Sequence, residues 1–98
     1  MRLAQVIGQV VATVRNPRLG LDKLLLVQTL DCEGRVDPQV QVAVDSLGAG
    51  TGEWVLLVSG SSARLTAGNG PDAPIDLSVV GIVDEVTSAK GLNYSKGG

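Results

Sequence analysis

From Leu3 to Arg15 the chain alternates with a period of two. Ala4, Val6, Gly8, Val10, Ala12 and Val14 fall on one face, and Leu3, Gln5, Ile7, Gln9, Val11 and Thr13 on the other. One face is apolar and the other mixed, which predicts a long strand with one side turned inward. Gly8 at its middle lets a sheet coil toward closure. Pro17 and Gly20 in NPRLGLD break the pattern, and KLLLVQTL predicts a second strand over Lys23–Leu30. DCEGRVDP turns the chain back. Val40, Val42 and Val44 alternate with Gln39, Gln41 and Asp45 in a third strand over Gln39–Asp45. EWVLLVS predicts a fourth over Glu53–Ser59, and VVGIVDEVT a fifth over Val79–Thr87. In GSSARLTAG, Ser61 or Ser62 can cap a short helix running to Thr66 or Ala67, and Gly68 can end it. NGPDAP is a loop, and residues 89–98 form a polar, Gly-rich tail after a domain over 1–88.

Five short strands at this spacing predict an all-β chain folded as a small five-stranded closed barrel, because closure removes exposed edges. One short helix would cap an open end. Oligonucleotide-binding barrels also have five strands, but their helix lies between strands three and four, whereas this one follows strand four.

Composition supports a packed β domain. Of 98 residues, 44% are apolar, nearly all Val, Leu, Ile and Ala, and 13 are glycine. A chain of this size buries roughly 60–70% of its unfolded surface, enough for one modest core. The net charge of −2 gives no field that attracts nucleic acid or an anionic membrane. No apolar run reaches spanning length, and Gln5, Gly8 and Gln9 interrupt the N-terminal one, so a cytoplasmic protein without leader or membrane contact is expected.

Several chemistries drop out. With no histidine, the commonest general base and metal ligand is missing. One cysteine without histidine excludes the usual structural zinc sites. Cys32 lies between Asp31 and Glu33, whose charges disfavour a thiolate, so it reads as a free thiol in a turn. Asp45 and Asp84, at strand ends, are a candidate acid–base pair, although such residues more often accept hydrogen bonds from turn amides. The glycine run GAGTGEWV leads into a strand rather than a helix, and no Lys or Arg stands between Arg35 and Arg64. That is the wrong order for a phosphate loop, and the glycines suit a tight connection. A single-stranded nucleic-acid module, or another ligand-binding small barrel, is the alternative function. It needs a basic groove and aromatic platforms, and the chain offers only Trp54 and Tyr94. No cofactor, metal site or catalytic residue is expected.

Three longer stretches together resemble one family. VDSLGAGTGEWVLLVSGSSAR is similar to a segment of the EutN/CcmL family of bacterial microcompartment shell proteins. VIGQVVATVRNPRLGLDKLLLVQ resembles the family's N-terminal pattern, and APIDLSVVGIVDEV, with Asp76 and Asp84, its last strand. Within the family, GAGTGEWV and the tail NYSK are most similar to the vertex proteins of β-carboxysomes. The chain departs from that pattern at Val44, at Gly52, in the loop from Gly68 to Pro74 and after Lys96. The resemblance implies a structural protein rather than an enzyme. It implies a homopentamer at the fivefold vertices of a carboxysome, beside hexameric shell proteins, around carbon-fixing enzymes. It also implies that Gly60, Ser61, Ser62 and Arg64 lie near the pentamer's central axis.

Overall fold

The computed structural model describes residues 1–20, 22–60, 63 and 76–96. Five strands form a closed barrel: β1 (Arg2–Val10), β2 (Lys23–Thr29), β3 (Gln41–Asp45), β4 (Trp54–Ser59) and β5 (Leu77–Ile82). Their order around the barrel is β1-β2-β3-β5-β4, and β4 returns to β1. All neighbours are antiparallel except β3 and β5, which run parallel at Val44 and Ser78. The all-β closed barrel is the architecture the alternation predicts, because each strand then has a neighbour on both sides.

The interior is small and aliphatic. Ala4 and Val6 of β1, Leu25 and Val27 of β2, Ala43 of β3, Val55 and Leu57 of β4 and Val79 of β5 pack together, with Ala49 closing over them. A second cluster joins Leu24, Val44 and Ala63, flanked by Val10, Ala12, Leu19 and Val58. Leu24 and Val44 are partners across β2 and β3, adjacent to core residues that face the other way. Ala63 thus packs on an apolar patch outside the central core. Only Gly60 and Ala63 of the predicted helix are described, and both are helical. Its remaining residues, and the loop 69–74, lie outside the described residues.

The strands depart from the expected alternation at specific places. β1 does not keep one phase. Val6 pairs with Val27 and Gly8 with Leu26, so Ile7 is an extra residue in a β-bulge. Beyond it the phase inverts: a Cβ on Gly8 would lie 3.4 Å from Leu26, on the outer side, and not beside Val6. β1 also stops at Val10, where β2 begins to pair, rather than running to Arg15. Arg15 instead folds the following loop, its Nη2 donating to the carbonyls of Gly20 at 2.6 Å and Asp22 at 3.0 Å. In β3, Ala43, Val44 and Asp45 are buried while Val42, and Val40 just before the strand, are exposed.

The stretch expected as one strand over Val79–Thr87 is two. β5 ends at Ile82, whose partner Val55 lies at the start of β4, so the ladder runs out. The chain then changes partner, and β6 (Glu85–Ser88) pairs with β7 (Gly91–Ser95). The segment 89–98, read from composition as a loose polar tail, therefore contains a strand. Its polar sequence conceals this, although its strand partner, β6, lies directly before it in the chain.

Candidate functional site

The glycine loop does bind an anion, and the anion is the chain's own. Asp45, at the end of β3, is buried, and its carboxylate accepts the amides of Leu47 at 2.9 Å, Gly48 at 3.1 Å and Ala49 at 2.8 Å. Glu53 accepts the amide of Gly50 at 2.6 Å. The amides of Gly52 and Glu53 donate to the carbonyls of Val6 and Gly50. Gly48 and Gly52 hold φ of +89° and +92°, the left-handed region that glycine enters without steric cost. The loop is thus a tight connection in which the amides of Leu47, Gly48, Ala49, Gly50, Gly52 and Glu53 are already engaged by the chain itself, unlike a phosphate cradle. Asp45 does not face Asp84, which lines a groove elsewhere, so the two do not form the candidate acid–base pair.

The second feature is a clasp between the C-terminal hairpin and the barrel. The rings of Trp54 and Tyr94 stack at 4.2 Å with planes 12° apart, and Tyr94 Oη accepts the Trp54 amide at 3.3 Å. Gly34, φ +87°, backs onto the indole: a Cβ there would meet Trp54 Cζ2 at 3.2 Å. Asn93 Nδ2 donates to the Cys32 carbonyl at 2.7 Å, and Lys90 pairs with Glu33 at 2.7 Å. Lys96 pairs with Glu53 at 2.9 Å. The Gly50 amide and this ammonium hold the Glu53 carboxyl below its ordinary range, and Glu53 raises Lys96 in return. Both aromatic residues of the chain are occupied with each other. They offer no open platform for nucleobases, and the nucleic-acid reading loses its stacking surface.

Of the four residues expected near a central axis, the structure describes one. Gly60 is exposed at the end of β4, φ +65°, and its amide donates to the Asp76 carbonyl at 3.1 Å. Ser61, Ser62 and Arg64 lie outside the described residues. Ala63 is fully buried in the second apolar cluster.

Alternation alone does not say which outer side chains the closed barrel leaves exposed. Val11 and Val14 are 78% and 95% exposed on the loop after β1, and Val42 and Ile7 are also exposed. At the opposite end of β1, Leu3, Leu56, Val83 and Val86 line a shallow groove rimmed by Asp84, Glu85 and Thr87. A barrel with no free strand edge but with exposed aliphatic side chains is suited to side-chain packing against neighbours. Among the described residues, no three acidic or cysteine side chains gather as a metal-binding set.

Comparison with known proteins accords with an assembly surface. The family model for ethanolamine utilisation protein EutN/carboxysome matches residues 1–84. The microcompartment shell vertex protein EutN of Salmonella typhimurium is 55% identical over 96 residues, covering 98% of this chain and 96% of that protein. The carboxysome shell vertex protein CcmL of Synechocystis sp. is 51% identical, covering 98% and 95%. Among solved structures, the pentameric microcompartment shell protein GrpN of Rhodospirillum rubrum superposes with a TM-score of 0.79 at 45% identity, covering 90% and 99%. Matched along nearly its whole length, at more than half identity and in the same barrel, this chain is a member of the EutN/CcmL family, whose relatives here are microcompartment shell vertex and pentameric shell proteins.

Proposed function

We propose that the chain assembles into a closed homopentamer that occupies the fivefold vertices of a bacterial microcompartment shell in the cytoplasm, in contact with hexameric facet proteins. The observation that carries this reading is a barrel without open edges that leaves Val11 and Val14 exposed after β1 and half-buried aliphatic side chains lining a groove at its start. Such a surface serves contact rather than catalysis. A head-to-tail interface closes into a ring when its rotation closes. Flat sheets of hexamers extend indefinitely, and a fivefold unit supplies the curvature that closes them. Deleting this chain should therefore leave elongated or open compartments with cargo still gathered. Closed icosahedra of normal shape in the deletion strain, with no second vertex protein, would refute the role.

The kind of compartment is the finer question. The resemblance of GAGTGEWV and NYSK supports a carboxysome, enclosing carbon-fixing enzymes. Relatives named for EutN and for CcmL stand four points of identity apart over the same span. Mass spectrometry of purified compartments decides: ribulose bisphosphate carboxylase as the main cargo supports the carboxysome, and other enzymes contradict it.

Gly60, Ser61, Ser62 and Arg64 are proposed to face the central axis of the ring. Ser62→Glu would then set five carboxylates close together, and their repulsion should weaken the pentamer. An equally stable ring in that variant would remove this segment from the axis.

A further inference from the structure

The barrel interior is aliphatic, yet one mouth of it is polar. On β1 the inward residues are Ala4 and Val6, and by alternation Arg2, which pairs with the core residue Leu57. On β2 they are Leu25 and Val27, followed by Thr29, which pairs with Ala4. The turn after β2 folds back over this end. The Asp37 amide donates to the Thr29 carbonyl at 2.8 Å, and Leu30 is bridged to Val36. Between these parts lies an open cavity of about 250 Å³, lined by Arg2, Thr29, Leu30, Asp31, Arg35 and Asp37.

Much of the charge at this mouth is already committed. Arg35 donates Nε to Asp31 at 3.0 Å and Nη2 to Glu33 at 2.7 Å, and Lys90 holds the other oxygen of Glu33 at 2.7 Å. Asp31 also accepts the amides of Glu33 and Arg35. Asp37 spends Oδ1 on the Gln39 amide at 2.9 Å. The uncommitted groups carry opposite charge. Among the described residues, Arg2 and Asp37 have no ion-pair partner and do not pair with each other, although both line the cavity. Thr29 is only 6% exposed, and among the described residues its Oγ1 has no hydrogen bond. A buried hydroxyl is normally hydrogen-bonded, so one that faces a cavity is served by what enters it.

We infer that this barrel mouth binds a small α-amino or α-hydroxy acid, its carboxylate on Arg2 and Thr29 Oγ1 and its neighbouring ammonium or hydroxyl on Asp37. A simple anion would satisfy Arg2 and be repelled by Asp37, and a simple cation the reverse. A ligand that carries a carboxylate beside a donor meets both groups at once, and Arg with carboxylate is a strong, directional pair. Leu30 offers an apolar wall to a short side chain. The cavity is roughly eight times the volume of about 30 Å³ that a water molecule takes in the liquid, room for a molecule of about five to eight non-hydrogen atoms. This site belongs to the single barrel and does not depend on the ring.

The test is a nuclear magnetic resonance titration of the assembled protein, labelled at Thr and Leu methyls, with glycine, glycolate and acetate. The Thr29 and Leu30 methyls are expected to move along saturating curves with glycine or glycolate, and which of the two binds tighter assigns amino or hydroxy acids. Acetate, which lacks the donor, should bind about tenfold more weakly. Arg2→Ala should weaken every probe by about tenfold. Asp37→Asn keeps the oxygen that accepts the Gln39 amide and should narrow the gap between glycine and acetate. Thr29→Val, nearly isosteric, should weaken glycine and glycolate, read at Leu30, with the other Leu methyls in place. Shifts that stay linear for all three probes overturn the inference, as do equal affinities for acetate and glycine or unchanged affinities in Arg2→Ala. A Thr29→Val chain that melts higher and binds as wild type does would make the hydroxyl an unpaired core group and overturn its part in the site.

Discussion

Asp45 is the residue on which the loop before β4 depends. Its carboxylate is buried and accepts three consecutive amides, and a hydrogen bond to a charged group is worth about 1.5–3 kcal/mol. Asp45→Ala leaves those amides without an acceptor, at least one of them in a site closed to water. The expected loss is about 3 kcal/mol, a fall in Tm of roughly 15 °C at fixed chain concentration. Asp45→Asn keeps one acceptor oxygen and should lose less. Differential scanning calorimetry checks both, and an Asp45→Ala chain that melts within two or three degrees of wild type would contradict the account. Glu53 supplies a pH test. Its carboxyl is depressed in the folded chain, first by the Gly50 amide and then by Lys96, so its contribution is present above its unfolded value of about 4.3 and fades as pH falls through the lower folded value. Lys96 is raised, so its share is present below about 10.4 and fades as pH rises through the higher folded value. The clasp should be firmest between about pH 4.5 and 10. Hydrogen exchange at residues 92–96 measures this. Glu53→Gln should flatten the acid limb there, while Asp31, lowered chiefly by the Arg35 amide, keeps its own acid dependence. An unchanged acid limb in Glu53→Gln would show that the clasp does not use this pair.

At the scale of elements, legibility followed the reach of the contacts. β2 and β4 stand close to where KLLLVQTL and EWVLLVS place them, because each is a short apolar run bounded by turn residues. The overrun of β1 and its inverted phase after Ile7 depend on the register of β2, which no periodicity in β1 contains. The break between β5 and β6 arises because β4 ends, and β7 pairs with β6 in a local hairpin whose docking on the barrel comes from Trp54, Cys32 and Glu33, thirty or more residues away. The groove was invisible for the same reason: Leu3, Leu56 and Val86 come together only once the barrel closes. The hairpin β6–β7 gives the corresponding prediction. Tyr94→Ala removes the stack on Trp54 and an acceptor for its amide, about 1–2 kcal/mol. Trp54 emission should shift to the red and amides of residues 91–95 should exchange faster, while β1–β5 keep their protection. Equal loss of protection across the barrel would mean that the hairpin is part of one cooperative unit with it.

At the scale of the molecule, the five-stranded barrel solves its edge problem by closure and leaves aliphatic side chains exposed on the outside. That division explains why a 98-residue protein without histidine, and with both aromatics stacked on each other, can still have a defined role. The resemblance to a shell family was legible because it lies in local runs such as GAGTGEWV, where turn and strand chemistry are written in sequence. The assembly itself was not, since it depends on which side chains the closed barrel leaves exposed. The most direct test is cryo-electron tomography of purified compartments with subtomogram averaging at the vertices. The account predicts a disc of five copies of this barrel at each fivefold vertex and none in the flat facets. Density for this chain within the facets, or vertices built of another protein while this one is present in the shell, would contradict it.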